Sequence, residues 1–267
     1  MFRYPVYLIY LFLIITACSS PEIREWEDGA WVDLTHEYSD ETLYWPTSNP
    51  FQLDTVFVGT TDAGFYYESY EFRSAEHGGT HLDAPIHFYA NRQTVEELSI
   101  DQLTGRAAVI NVKEKATANR DYQIQIEDIT EWEEENGELQ EGAIILFNKG
   151  FAAFWPDAVS YLGTDKKGEG GVAELSFPGI HPDTAKWLVE NRSVKAIGLD
   201  TPSLDYGKSV QFETHQILFE QNIPGFENVA NLDMLPPKNA FVIALPMKIK
   251  DGSGAPLRIV AHIGGLL

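Results

Sequence analysis

The chain of 267 residues has a single cysteine, Cys18, so it cannot close an internal disulfide. Basic residues are scarce too: 19 Lys and Arg against 40 Asp and Glu leave a formal charge of −21. A surface of that sign repels phosphate backbones and argues against a nucleic-acid partner. The apolar run at the N-terminus, Val6 to Ile15, falls well short of the roughly 20 residues a membrane-spanning helix needs. No internal repeat or interdomain linker stands out. Hydrophobic content of 44% and charged content of 22% are those of an ordinary folded protein, and the length suits one large domain.

The N-terminal segment is an address. Arg3 precedes the apolar run, which ends in Ile15-Thr16-Ala17-Cys18. This resembles a bacterial lipoprotein signal, with cleavage after residue 17 and lipidation of the Cys18 thiol. The expected organisation is a signal peptide over 1–17, a polar tether over 18–29 and one folded domain over 30–267. Lipidation would anchor the protein to a membrane of the bacterial cell envelope, at the periplasmic face or the outer membrane.

Strands are expected at Trp31–Thr35, Phe65–Phe72, Ala107–Val112, Ala143–Asn148, Val194–Leu199, Phe241–Leu245 and Leu257–Ile263. Helices are expected over Glu127–Asn136, stopped by Gly137, over Asp183–Asn191 behind Pro182, and over His215–Gln221. Residues 42–52 and 163–171 read as loops. The alternation of strands and helices is loose, which points to one α/β domain with a mixed sheet.

Chemistry concentrates between Glu76 and Phe88, where three histidines and an aspartate sit among two glycines and a proline. Imidazole and carboxylate are ligands for a borderline divalent metal. Gly78 and Gly79 argue against a helix through His77 and His81, so a loop or bent strand end is expected. His81 and Asp83, two apart, share one side of an extended segment. His87 is either a further ligand or a general acid/base. The acidic run Glu131 to Glu135 reads as a solvated helix face, and Asp200 and Asp205 as residues that stabilise a bend.

The stretch His77-Gly-Gly-Thr-His81-Leu-Asp83-Ala-Pro-Ile-His87-Phe88 resembles the His-x-Gly-Thr-His-x-Asp-x-Pro-x-His-Phe signature of the cyclase family of metal-dependent hydrolases. That family includes bacterial kynurenine formamidase and isatin hydrolase. Trp31–Thr35, Phe177–Ile180, Gly198–Asp205 and Leu245–Ile249 extend the resemblance, in order, to the end of the chain. It implies a partly barrel-like sheet flanked by helices, of the swivelling β/β/α type. It also implies hydrolysis of an amide, lactam or formamide C–N bond, with a metal-activated hydroxide as nucleophile. Carried over, His77, His81 and Asp83 hold one ion, zinc first and manganese second. Asp83 can bridge to a second ion on His215 and Glu227, which have the family spacing of twelve residues. His87 becomes the proton donor and acceptor, and Trp45 lines the substrate pocket.

At the pocket tryptophan the chain departs from the formamidase pattern, with Trp45-Pro-Thr-Ser48 where Trp-Pro-Gly-Asp is usual. The partners implied are a small aromatic or cyclic amide substrate and further copies of the chain, in a dimer or tetramer. Two other readings stand beside the enzyme: an envelope lipoprotein that binds a metal or small ligand without turnover, and a closed structural metal site.

Overall fold

Apolar runs without alternation mark strands buried on both faces, and three of them form the centre of this fold. The computed structural model describes residues 29–264. Residues 1–28, on which the signal, tether and Cys18 expectations fall, lie outside the described residues.

The strands are β1 (Ala30–Asp33), β2 (Gln52–Thr60), β3 (Tyr66–Arg73), β4 (His81–Asp83), β5 (Thr104–Asn111), β6 (Gln123–Ile124), β7 (Ala143–Asn148), β8 (Gly179–Ile180), β9 (Val194–Leu199), β10 (Gly225–Glu227), β11 (Ala240–Pro246) and β12 (Gly254–Ile263). The helices are α1 (Lys113–Ala118), α2 (Ile126–Asn136), α3 (Ala158–Leu162), α4 (Glu169–Val172), α5 (Pro182–Asn191) and α6 (Glu213–Glu220).

The main sheet closes on itself in the order β12-β11-β5-β7-β9-β10-β4 and back to β12, with β1 added along the outer half of β12. β5, β7, β9 and β10 run parallel, and the other pairings in the ring are antiparallel. The expected single α/β domain with a mixed, barrel-like sheet is therefore what the chain forms.

Side chains alternate between two cores. From β7, Ile144 and Leu146 point into the ring with Val109, Ala196 and Phe226, while Ile145 and Phe147 point outward beneath the helices. Ile129 of α2, Leu188 of α5 and Leu218 of α6 cover that outer face. Gly198 follows Ala196 by two on β9 and faces inward, where a methyl group would lie 2.7 Å from Leu146 Cδ2, so glycine fits best there. A third cluster, built on Phe151, Tyr161 and Phe177, supports Trp45 at the edge of the ring.

One expectation is met in an unforeseen place and another changes. Phe65–Phe72 is a strand as expected, β3, and it lies outside the main sheet as half of a separate hairpin, in which β2 and β3 pair only with each other. The register places Leu53, Val58, Tyr66, Tyr70 and Phe72 on one face, and all five are exposed. Its first strand went unread because Asp54 and the bulge between Thr55 and Phe57 break the alternation. The 163–171 segment is not all loop, since Gly168 N–H donates to the Pro46 carbonyl and starts α4 beside the Trp45 turn.

A candidate metal centre at the closure of the sheet

Three short pieces of chain supply the centre, and the sheet register brings them together. β4 and β10 are antiparallel neighbours with His81 opposite Glu227 and Gly225 opposite Asp83. Cross-strand partners lie within side-chain reach of one another, so His81, Asp83 and Glu227 share one surface. Period two puts His81 and Asp83 on the same side while Leu82 enters the inner core. α6 then delivers His215 from above.

The resulting distances are short. His81 Nε2 lies 3.1 Å from Asp83 Oδ1 and 3.4 Å from Glu227 Oε2. His215 Nε2 lies 3.3 Å from Asp83 Oδ2 and 3.2 Å from Glu227 Oε1. His77 Nδ1 lies 2.6 Å from Asp83 Oδ1. Asp83 thus joins two sets of side chains close enough to share an ion, one with His81 and Glu227 and one with His77 and His87.

The fit to a cation rests on the unused lone pairs. His81 Nδ1 faces the Gly79 carbonyl at 3.0 Å, so the buried Nε2 is left as a lone pair, and it makes no hydrogen bond. His215 Nδ1 lies 2.6 Å from Asp205 Oδ2, which aims Nε2 at the carboxylates, 3.2 Å from Glu227 Oε1. Nitrogen and oxygen donors in this mixture suit zinc or manganese.

Charge tells the same story. Burial alone would raise the Asp83 pKa, but His77, His215 and His81 hold it well below the usual carboxylate range. Burial alone would lower His81, yet Asp83 and Glu227 push it up to about 9. His215 is driven well above its ordinary value, against its burial, by Asp205, Asp83 and Glu227. Without a metal, protons must neutralise these buried carboxylates; a divalent cation replaces them.

His87 stacks on His77 with ring centroids 3.7 Å apart and an interplanar angle of 15°. Burial pushes its pKa down to about 4, so the ring is neutral at physiological pH and able to accept a proton. The centre opens into a pocket of about 250 Å³ walled by Leu43, Trp45, Phe88, Leu162 and Phe212. Trp45 stands there as expected, edge-on to Phe177 at 6.4 Å.

Every described residue expected at the site is therefore placed together: His77, His81, Asp83, His87, His215, Glu227 and Trp45. Two further residues were missed. Asp205 accepts from the Thr214 and His215 backbone N–H groups and faces the His215 ring, so it fixes the orientation of a candidate ligand as well as a bend. Asp200 keeps the expected role, accepting from the backbone of Lys149, Phe151 and Ala152. Asn228, in the left-handed region at φ 53°, donates to the Gly79 carbonyl at 2.6 Å and accepts from Tyr161. Its place directly after Glu227 was the available signal.

A closed mixed sheet carrying a buried histidine–carboxylate cluster at the mouth of an aromatic pocket defines a metal-dependent hydrolase. The cyclase family model matches residues 32–206, and the chain belongs to that family. Isatin hydrolase of Roseibium aggregatum is 30% identical over 70% of this chain and 72% of its own length. Kynurenine formamidase of Bacillus cereus is 27% identical over 86% of this chain and 96% of its own. The solved structure of isatin hydrolase A from Ralstonia solanacearum superposes with a TM-score of 0.79 at 28% identity, covering 88% of this chain and 92% of that one. The chain is accordingly a hydrolase acting on non-peptide, amide-type C–N bonds.

Proposed function

We propose that the substrate is an uncharged aromatic ring carrying a cyclic amide, opened by water to an amino-carboxylate product. The observation that carries this reading is the pocket: outside the centre its walls are mostly aromatic and aliphatic, with Ser48, Ser203 and Asn228 as neutral polar groups, and none of its lining residues is Lys or Arg. A zwitterionic substrate such as formylkynurenine would place its α-carboxylate there without a cationic partner. The flat lactam of isatin, the substrate in the name of the Roseibium aggregatum relative, suits those walls better.

His77, His81 and Asp83 would hold one ion, and His215 and Glu227, with Asp83 between, a second. Zinc is the first choice and manganese the second. Such an ion supplies Lewis acidity and lowers the pKa of a bound water to about 7. His87 accepts the proton of the attacking water and returns it to the departing nitrogen as the C–N bond breaks. Its burial is what keeps the ring neutral for the first half of that cycle. Trp45 and Phe212 hold the ring flat beside the centre.

The test is hydrolysis of isatin-type lactams, N-formyl arylamines and lactones by zinc- and manganese-loaded protein, beside His87→Ala. The variant should keep its metal and lose about 10²–10⁴-fold in turnover. Loss of metal from that variant would make His87 a ligand, and inactivity of fully loaded wild-type protein on every lactam would sink the substrate reading.

We further propose a homo-oligomer and a lipid anchor at the cell envelope. Support for the first is the β2–β3 hairpin, because an unsupported two-stranded hairpin is marginal in water and this one exposes Leu53, Tyr66 and Phe72 at 55–63%. Sedimentation equilibrium of Tyr66→Lys should show a smaller species than wild type, and an unchanged mass removes that support. Support for the anchor is the Cys18 context alone; Cys18→Ser should release the protein from membranes, and wild-type protein found soluble would refute it.

A further inference from the structure

The cluster around His77 differs from the rest of the centre, because its outer nitrogen is tied to a side-chain pair rather than to one buried acceptor. His77 Nε2 lies 3.0 Å from the Ser253 hydroxyl, 176 residues away in sequence. The Ser253 hydroxyl donates to Glu76 Oε2 at 2.6 Å, and the Ser253 backbone N–H donates to the same oxygen at 3.2 Å. Glu76 itself is 4.0 Å from the His77 nitrogen, too far for a direct hydrogen bond.

A serine hydroxyl has one hydrogen. With that hydrogen committed to Glu76, Ser253 can only accept from His77, so Nε2 must carry the proton. In the neutral ring Nδ1 is then a bare lone pair aimed at Asp83 Oδ1, 2.6 Å away. Two lone pairs at that distance repel, so the spacing calls for either a second proton on the ring or a cation beside both, and a divalent cation displaces that proton.

The surroundings are built for this. The Ala84 N–H donates to the Ser253 carbonyl, fastening Ser253 to the residue after Asp83. The ring lies so close to Gly254 that a methyl group there would fall 2.3 Å from His77 Cε1. We propose that Glu76 and Ser253 are positioning residues that fix the metal-binding tautomer of His77. This rests on the reading of the cluster as a metal centre.

The experiment is zinc and manganese titration of the metal-stripped full chain by chelator competition, in wild type, Ser253→Ala, Glu76→Ala and Glu76→Gln. Loss of such an outer partner typically costs 10–100-fold in metal affinity. Ser253→Ala and Glu76→Ala should lose that much, the latter because the freed hydroxyl turns to donate to Nε2. Glu76→Gln keeps an acceptor oxygen and should stay close to wild type. Long-range ¹⁵N NMR of the zinc-loaded protein should show a protonated His77 Nε2 in wild type and Glu76→Gln.

A Glu76→Gln as weak as Glu76→Ala would make the effect one of net charge and overturn the proposal. So would melting of the metal-free variants at lower temperature in step with the lost affinity, which marks a packing role. Wild-type protein that binds neither metal would instead overturn the underlying reading of the centre.

Discussion

Replacing Asp205 by asparagine tests the centre without touching a ligand. The Asp205 carboxylate is 2% exposed, so its bonds are not shared with solvent. One oxygen takes the Thr214 N–H at 3.1 Å and the Ser209 hydroxyl at 3.3 Å; the other takes the His215 N–H at 3.2 Å and faces His215 Nδ1 at 2.6 Å. Every group around it is a donor. An amide of the same shape must therefore turn its NH₂ toward donors on one side or the other.

If the amide oxygen stays with His215, a neutral acceptor replaces a charged one and the bond to Nδ1–H loses roughly half its strength. If the nitrogen turns there instead, the ring shifts its proton to Nε2, opposite Asp83 and Glu227. The expected fall in zinc or manganese affinity is about tenfold in the first case and about 100-fold in the second. Those ratios correspond to about 1.4 and 2.7 kcal/mol, the size of one hydrogen bond to a charged group. Alanine is less informative, because it leaves three buried donors unpaired, at about 1–3 kcal/mol for each, beside the half-buried Ser209 hydroxyl. Chelator competition on metal-stripped protein measures the loss, with thermal melting of the metal-free form as control. Wild-type affinity in Asp205→Asn would refute the argument that this carboxylate sets the His215 tautomer.

Trp45→Ala should raise KM for an aromatic lactam about tenfold with a smaller change in kcat, since stacked aromatic pairs contribute about 0.5–1.5 kcal/mol beyond buried area; an unchanged KM removes Trp45 from the pocket wall. His36, stacked on Trp155 at 4.3 Å, has its pKa lowered by burial from 6.5 to about 4. Because the folded protein then binds the proton less readily than the unfolded chain, this contribution is intact above pH 6.5 and fades as pH falls toward 4. Melting temperatures of wild type and His36→Gln should converge over that window, and parallel curves would contradict it. Gly198→Ala forces a methyl group against Leu146 and should cost about 1–3 kcal/mol by overpacking. Denaturant melts with an unmoved midpoint would show that the inner core has room at that point.

The legible part of the centre was the part written in short spacings. His81 and Asp83 share a side because strands alternate, and both lie on β4 as that rule requires. The helix over α5 was visible because Pro182 and the apolar spacing behind it agree. Asp205 was misread because it precedes His215 by ten residues, and only the chain's return into α6 sets the two face to face. Ser253 was not visible at all: a serine between two glycines near the C-terminus carries no sign of a histidine 176 residues earlier. The first strand of the hairpin escaped for the opposite reason. Exposure on both faces and the bulge remove the apolar alternation in β2, whereas aromatic enrichment kept β3 legible.

β4 is only three residues long and is held on one edge by β10 and on the other by the first residues of β12. During synthesis, the histidine-rich turn leaves the ribosome some 170 residues before Gly254, the start of that second edge. The nascent polypeptide thus carries its imidazoles early but has no frame to aim them. A complete, aimed donor set therefore forms only late in maturation, and a fragment stopped short of β12 would keep most of the candidate ligands while losing their alignment.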